Sequence, residues 1–256
     1  MAQSGVLADF RLHRLDQWLS EGFADFAAGL FLQQAVGPKW QKDYIDYWER
    51  QRVRILEKNN FGVSPNDAGP LWMGLRLESP RTKRAYQGVT YSKGAYVLQM
   101  LRSLMYSDQG AGNRDQAFID MMHDFMESHR SSAASTESFK AIAEKHMTKQ
   151  MDLQQNGRLD WFFGEWVYGT QIPRYHFKYD LQPGNGGNVK VRVELTQSEV
   201  DDQFAMFVPI FADFGKGMVR IGQLAVVGNA MRTAIFNMDQ QPKKVALNVY
   251  KDVLER

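Results

Sequence analysis

The sequence predicts a helical domain followed by an antiparallel β domain. Three observations carry that expectation. From about position 15 to 169, apolar residues recur at spacings of three and four, the period of one helix face. Beyond Ile172-Pro173 the period changes to two, as in half-buried strands. The 256 residues also exceed one small domain, at about 100–200 residues each. The expected units are residues 1–172 and residues 173–256.

Leu15, Leu19, Phe23, Phe26 and Leu30 mark the first helix. Gly37-Pro38 ends it, because proline fixes φ and lacks the N–H that continues the ladder. A second helix is expected from Trp40 to Lys58, with Tyr44, Ile45, Trp48 and Ile55 alternating with Asp46, Glu49, Arg50, Arg52 and Arg54. Residues 59–87 are rich in Gly, Pro, Asn and Ser, with turn signals at Ser64-Pro65-Asn66 and Gly69-Pro70. A loop of that length inside a compact domain is more often functional than idle. Helical spacing resumes from Thr90 to Met105 and from Asp115 to Met126. Ser135 and Thr136 offer N-caps for a helix through Phe139 to His146, and a short aromatic helix, Leu159 to Tyr168, closes the first half.

In the second half Tyr175, Phe177, Tyr179 and Leu181 alternate with polar residues, as do Val189, Val191, Val193 and Leu195. Pro183-Gly184-Asn185-Gly186-Gly187 between them reads as a hairpin turn; it follows no strand-to-helix pattern, so it is not a nucleotide cradle. Further strands are expected at Phe204–Phe211, Met218–Val227, Met231–Met238 and Val245–Val253. Their turns carry Gly215-Lys216-Gly217, Gly228-Asn229 and Gln241-Pro242. Six or seven short antiparallel strands at this spacing point to a small β-sandwich.

Composition narrows the function classes. Thirty-one basic against 29 acidic residues leave a net charge of +2, which argues against nucleic acid as the main partner. Apolar runs fall short of the ~18–20 residues that span a bilayer. The absence of cysteine excludes disulfides, thiol nucleophiles and cysteine-bound zinc. The opening Met-Ala-Gln-Ser-Gly lacks the cationic-to-apolar pattern of a secretory signal, and the compartment stays undetermined.

Few side chains suggest chemistry. Glu21 lies in a helix apolar over most of its circumference, which should be buried on more than one side. A carboxylate there needs a cation, a metal or several hydrogen bonds, or else faces a solvated groove. Tyr91 follows a loop and opens a helix, where a protonated phenol can donate to a developing oxyanion; a half-buried aromatic with a surface hydroxyl is the plainer reading. Asp120, His123, Asp124 and Glu127 share one helix face, better explained by solvation than by a weakly held divalent ion. Arg81, Lys83 and Arg84 read as a solvated basic loop. No H-E-x-x-H pair occurs anywhere in the chain.

Three separated segments, in order, carry a resemblance. Trp18-Leu19-Ser20-Glu21-Gly22-Phe23-Ala24 is similar to the third-ligand helix of the gluzincin zinc peptidases related to aminopeptidase N. Tyr91-Ser92-Lys93-Gly94-Ala95 resembles that family's Y-x-K-G-A segment. Leu159 to Phe163, with Trp166 to Gly169 and Ile172-Pro173, resembles its passage into a β domain, and Pro242 to Asn248 its late strands. The resemblance implies the helical half of a thermolysin-like catalytic domain followed by an Ig- or fibronectin-like β-sandwich. It implies removal of N-terminal residues from peptide substrates, with Glu21 as a zinc ligand and Tyr91 on the oxyanion. Trp72 and Met73, in the 59–87 loop, would line the substrate cleft. The family's H-E-x-x-H precedes its glutamate by a spacing that reaches Ala2 here, so both histidine ligands and the base are missing. The chain is therefore expected to be the C-terminal portion of such an enzyme, binding no zinc and inactive alone, and self-associating through the surface uncovered. The alternative is a naturally short, non-catalytic interaction module.

Overall fold

The computed structural model describes residues 16–35, 37–107 and 112–256. Leu15, counted above in the first helix, and Ala2 lie outside the described residues. The helical half comprises α1 (Gln17–Ala35), α2 (Trp40–Leu56), α3 (Gly94–Met105), α4 (Gln116–Ser128), α5 (Thr136–His146) and α6 (Asp160–Trp166). The β half has β1 (Arg174–Pro183), β2 (Val189–Ser198), β3 (Ala205–Asp213), β4 (Met218–Val227), β5 (Met231–Met238) and β6 (Lys244–Leu247). A helical domain followed by a β domain is what the change of period predicts. Among the described residues no helix is long and apolar enough to cross a membrane.

The strands form two antiparallel three-stranded sheets, ordered β1-β2-β5 and β4-β3-β6. β1 and β2 pair from Arg174 opposite Ser198 to Pro183 opposite Val189, across the glycine-rich turn. Val191 and Val193 of one sheet share an apolar cluster with Ile210, Ala212 and Val245 of the other. The main core is continuous between the halves: Phe162 and Trp166 of α6 belong to it with Phe204, Met206 and Val208.

Several expectations are corrected. The last strand stops at Leu247 and does not run to Val253, because Asn248 and Lys251 have φ of 48° and 58° and turn the chain. Asn248 then accepts the Val253 N–H and donates to its carbonyl, sealing that turn. The 59–87 segment is not structureless, for it contains 3-10 turns at Pro65–Ala68 and Leu71–Leu77. The helix expected from Thr90 starts earlier, at Ala85, where the Glu78 carboxylate caps it by accepting the Arg84 and Tyr86 N–H groups. Its next stretch, Gln87–Lys93, is a π-helical turn leading directly into α3. Ser135 caps α5 through a hydrogen bond from the Ser138 N–H, and Thr136 is the first helical residue rather than a cap.

Burial of α1 also differs from expectation. Leu19 and Phe26 enter the core, whereas Ser20, Ala24, Ala27, Ala28 and Phe31 form an exposed stripe, with Phe31 66% exposed. Apolar composition specifies that a helix can be buried all round, and only the neighbours decide whether it is.

Candidate active site

The site is assembled by α1 and the π-helical turn. Gly22 sits on Gly94 so closely that a Cβ on Gly22 would lie 2.8 Å from the Gly94 carbonyl carbon and 3.1 Å from the Ala95 nitrogen. Two glycines thus let α1 lie against the start of α3, one residue after Glu21 and three after Tyr91. The consequence is direct: the Tyr91 phenol comes within electrostatic reach of the Glu21 carboxylate. Seventy positions apart in sequence, the two residues meet in space.

Both side chains are partly exposed. Burial, followed by the neighbouring Glu21 carboxylate, pushes the Tyr91 phenol up to about 12. A phenol so perturbed stays protonated near neutrality and keeps a proton to donate. The Tyr86 ring stands edge-on to Tyr91 at 5.7 Å, and its own phenol is raised by burial and by Glu21. One turn beyond Glu21, Asp25 is raised by burial against the opposing pull of Arg54.

Buried polar contacts hold this arrangement from behind. Ser92 Oγ donates to Gln51 Oε1 at 2.6 Å, and Gln51 Nε2 donates to Asp25 Oδ2 at 3.3 Å. α2 thereby ties the tyrosine's turn to the glutamate's helix. At the start of α1, Asp16 Oδ1 accepts from the Thr136 N–H at 2.8 Å and from its hydroxyl at 2.7 Å. That places a carboxylate at the N-terminus of α5, where the helix dipole favours it. Trp18 Nε1 donates to the same Thr136 hydroxyl, 2.9 Å away.

The other candidates separate. Trp72 and Met73 belong to the Leu71–Leu77 turn, which packs against both α1 and the π-helical turn. Both are partly buried, and the Arg76 guanidinium lies 4.7 Å above the Trp72 ring. On α4, Asp120, His123 and Glu127 are exposed, Gln116 donates to Asp120, Arg130 pairs with Glu127, and Asp124 pairs with His146 at 3.1 Å. Arg81, Lys83 and Arg84 are exposed. Among the described residues no three His, Asp or Glu side chains gather as a metal site.

The profile of the Peptidase family M1 domain matches residues 15–166, more than half of the chain. The chain belongs to the M1 peptidase family. The resemblance to aminopeptidase N-like proteins agrees with that assignment. Membership makes this a peptidase by family, and M1 peptidases in general are zinc enzymes. Among the described residues the donor set at the site falls short of zinc: a catalytic zinc takes three protein ligands and keeps an open position. Glu21 is one carboxylate, and its partners are a phenol and neighbouring acidic and aromatic groups. A search of curated proteins finds no match to this M1 chain.

Sequence reasoning passed over Lys93, Gln51, Tyr86 and Asp16. For Lys93 a signal existed. It lies between Val89-Thr90 and Tyr96-Val97, one helical turn away on each side, so an apolar surrounding was readable. Asp16 and Gln51 carried none, because their partners are 120 and 41 positions away.

Proposed function

We propose that this chain supplies the third zinc-ligand glutamate, Glu21, and the oxyanion-binding tyrosine, Tyr91, of an M1 zinc aminopeptidase site. The close approach of α1 to the start of α3 at Gly22 and Gly94, which sets the Tyr91 phenol beside the Glu21 carboxylate, carries the reading. In such a site a carboxylate lies beside the scissile carbonyl, and a protonated phenol within reach donates to the oxygen as charge develops. Trp72 and Met73 would contact the peptide, since their turn abuts both elements. Residues 1–172 would be the helical half of the thermolysin-like domain, and the two sheets of 173–256 an Ig-like sandwich. Histidine ligands and the general base would come from sequence that these 256 residues do not contain, so the chain alone holds no zinc and turns over no peptide. Peptides would be the partners of the complete enzyme.

Metal analysis after dialysis, with an alanyl- or leucyl-anilide assay, tests the chain alone; stoichiometric zinc with turnover would refute that part. In an assembly carrying an in-frame H-E-x-x-H ahead of Met1, Glu21→Gln should lose zinc, whereas Tyr91→Phe should keep zinc and lose turnover. Failure of either result removes the assigned role. A second reading, a non-catalytic interaction module, is favoured by the exposed stripe through Ala24, Ala27, Ala28 and Phe31. Absence of an encoded H-E-x-x-H, together with concentration-dependent self-association in light scattering, would select it.

A further inference from the structure

Four cationic side chains from two separate segments line one cleft of about 480 Å³. Arg54 and Lys58 stand at the end of α2, and Lys83 and Arg84 come from the loop before the π-helical turn. All four are exposed, and none enters an ion pair among the described residues. Arg54 donates to Gln51 Oε1 at 3.3 Å and acts on Asp25 only through space. Glu57, also exposed, is the one carboxylate in the lining. Val53, Pro65 and Gly88 give the cleft an apolar wall.

The two cationic segments are fastened together. Asn59, just past α2, donates from Nδ2 to the Arg81 carbonyl at 2.8 Å, while its Oδ1 accepts the Phe61 and Val63 N–H groups. Within the loop Thr82 Oγ1 donates to the Leu77 carbonyl at 2.8 Å, and Glu78 accepts the Arg84 and Tyr86 N–H groups. Arg84 has a φ of 70°, a left-handed backbone that a non-glycine residue adopts at a cost. A helix C-terminus attracts cations, which accounts for Arg54 and Lys58. It does not account for two further cations tied to the same cleft, where like charges repel. A ligand carrying several negative charges relieves that repulsion.

The donors narrow the ligand. Compact phosphate sites use backbone N–H groups that converge on one anion. Here the N–H groups of Thr82, Arg84, Ala85 and Gly88 are already bonded within the protein. What remains is a set of long side chains spread along a cleft with an apolar wall, which matches carboxylates spaced along a chain.

We propose that this cleft binds an acidic stretch of polypeptide, its carboxylates held by Arg54, Lys58, Lys83 and Arg84. Neither Glu21 nor Tyr91 lines it. Zinc and turnover play no part in the binding, so this proposal and the peptidase reading stand or fall separately.

Isothermal titration calorimetry of the whole chain with acetyl-tetraglutamate amide tests it; the blocked ends leave neither a free amine nor a terminal carboxylate. Binding should weaken as sodium chloride rises from about 50 to 500 mM, because exposed charges are screened. Lys58→Gln/Lys83→Gln removes one cation from each segment and no hydrogen bond among the described residues, and should weaken binding about three- to tenfold. Glu57→Gln should tighten it about twofold. Lys149→Gln/Lys178→Gln lowers the net charge equally at exposed positions outside the lining and should leave affinity unchanged. All five substituted side chains are exposed, so each variant should fold, as circular dichroism would report. No binding at the lowest salt, equal affinity of the two double variants, a Glu57→Gln chain that binds no more tightly, or equal binding of acetyl-tetraglutamine amide would overturn the proposal. Inorganic pyrophosphate binding more tightly than the peptide would also overturn it, in favour of a phosphate site.

Discussion

The contact between Gly22 and Gly94 is where a single methyl group should do most damage. Alanine at Gly22 would bring its Cβ to 2.8 Å from the Gly94 carbonyl carbon, 3.0 Å from its Cα and 3.1 Å from the Ala95 nitrogen. Ordinary contact starts near 3.4 Å, so α1 and the start of α3 must part by about 0.6 Å. Backbone atoms bound both sides, so no side chain can swing aside. Overpacking of this kind costs about 1–3 kcal/mol. Replacing a helix-interior glycine by alanine returns up to ~1 kcal/mol of helix propensity. The net expectation for Gly22→Ala is a loss of about 1–2 kcal/mol. Gly164→Ala is the matched control, since a Cβ there meets nothing within 4 Å and α6 should gain from alanine. Urea denaturation followed by tryptophan fluorescence and by circular dichroism reads both midpoints. Opposite signs are expected. A Gly22→Ala chain as stable as the parent would refute the close approach, and with it the argument that two glycines bring Glu21 to Tyr91.

Other perturbations follow from buried charge. The folded amine of Lys93 lies near 7 against an ordinary 10.5, so the unfolded chain binds the extra proton between those values and stability should rise with pH across that window. The full difference corresponds to about 5 kcal/mol. Lys93→Met should flatten that rise in denaturation midpoints from pH 7 to 10; an unchanged slope would refute the assignment. Glu165 behaves in the opposite sense. Burial raises it to about 8, and it accepts the Ala205 N–H at 2.8 Å, joining α6 to β3. The folded chain therefore holds the extra proton between 4.5 and about 8, and this contribution is lost as pH rises. Glu165→Gln should leave stability little changed at acid pH and improve it relative to the parent at pH 8 and above, as thermal melts would report. Asp16→Ala removes the acceptor for two Thr136 donors at a buried position, and should cost about 1–3 kcal/mol in the same urea assay. A loss below about 0.5 kcal/mol would mean that water replaces the carboxylate.

Much of the fold was legible because its signals are local. A strand at Met218–Val227 or Met231–Met238 needs only alternation between turn residues, and both occur with those bounds. The last strand was overextended because Tyr250 and Val253 continue an apolar pattern after the backbone has turned at Asn248. The π-helical turn straddles the end of the expected 59–87 loop and the helix expected from Thr90, and its seven residues are too few for the apolar pattern to separate i+5 from i+4 bonding.

The sequence by itself determined the order of helical and β units, most element positions, and the segments around Glu21 and Tyr91 that mark an M1 peptidase. Periodicity and turn chemistry act over a few residues, so they can be read without knowing what lies across the fold. Only the tertiary structure decided that Glu21 faces Tyr91, that one stripe of α1 stays open, and that Lys93 loses its water to Asn66 and Gly169. Those outcomes depend on which faces meet. The faces meet through contacts between residues tens of positions apart, where a glycine without a Cβ or an amine without a counter-ion has no signature along the chain.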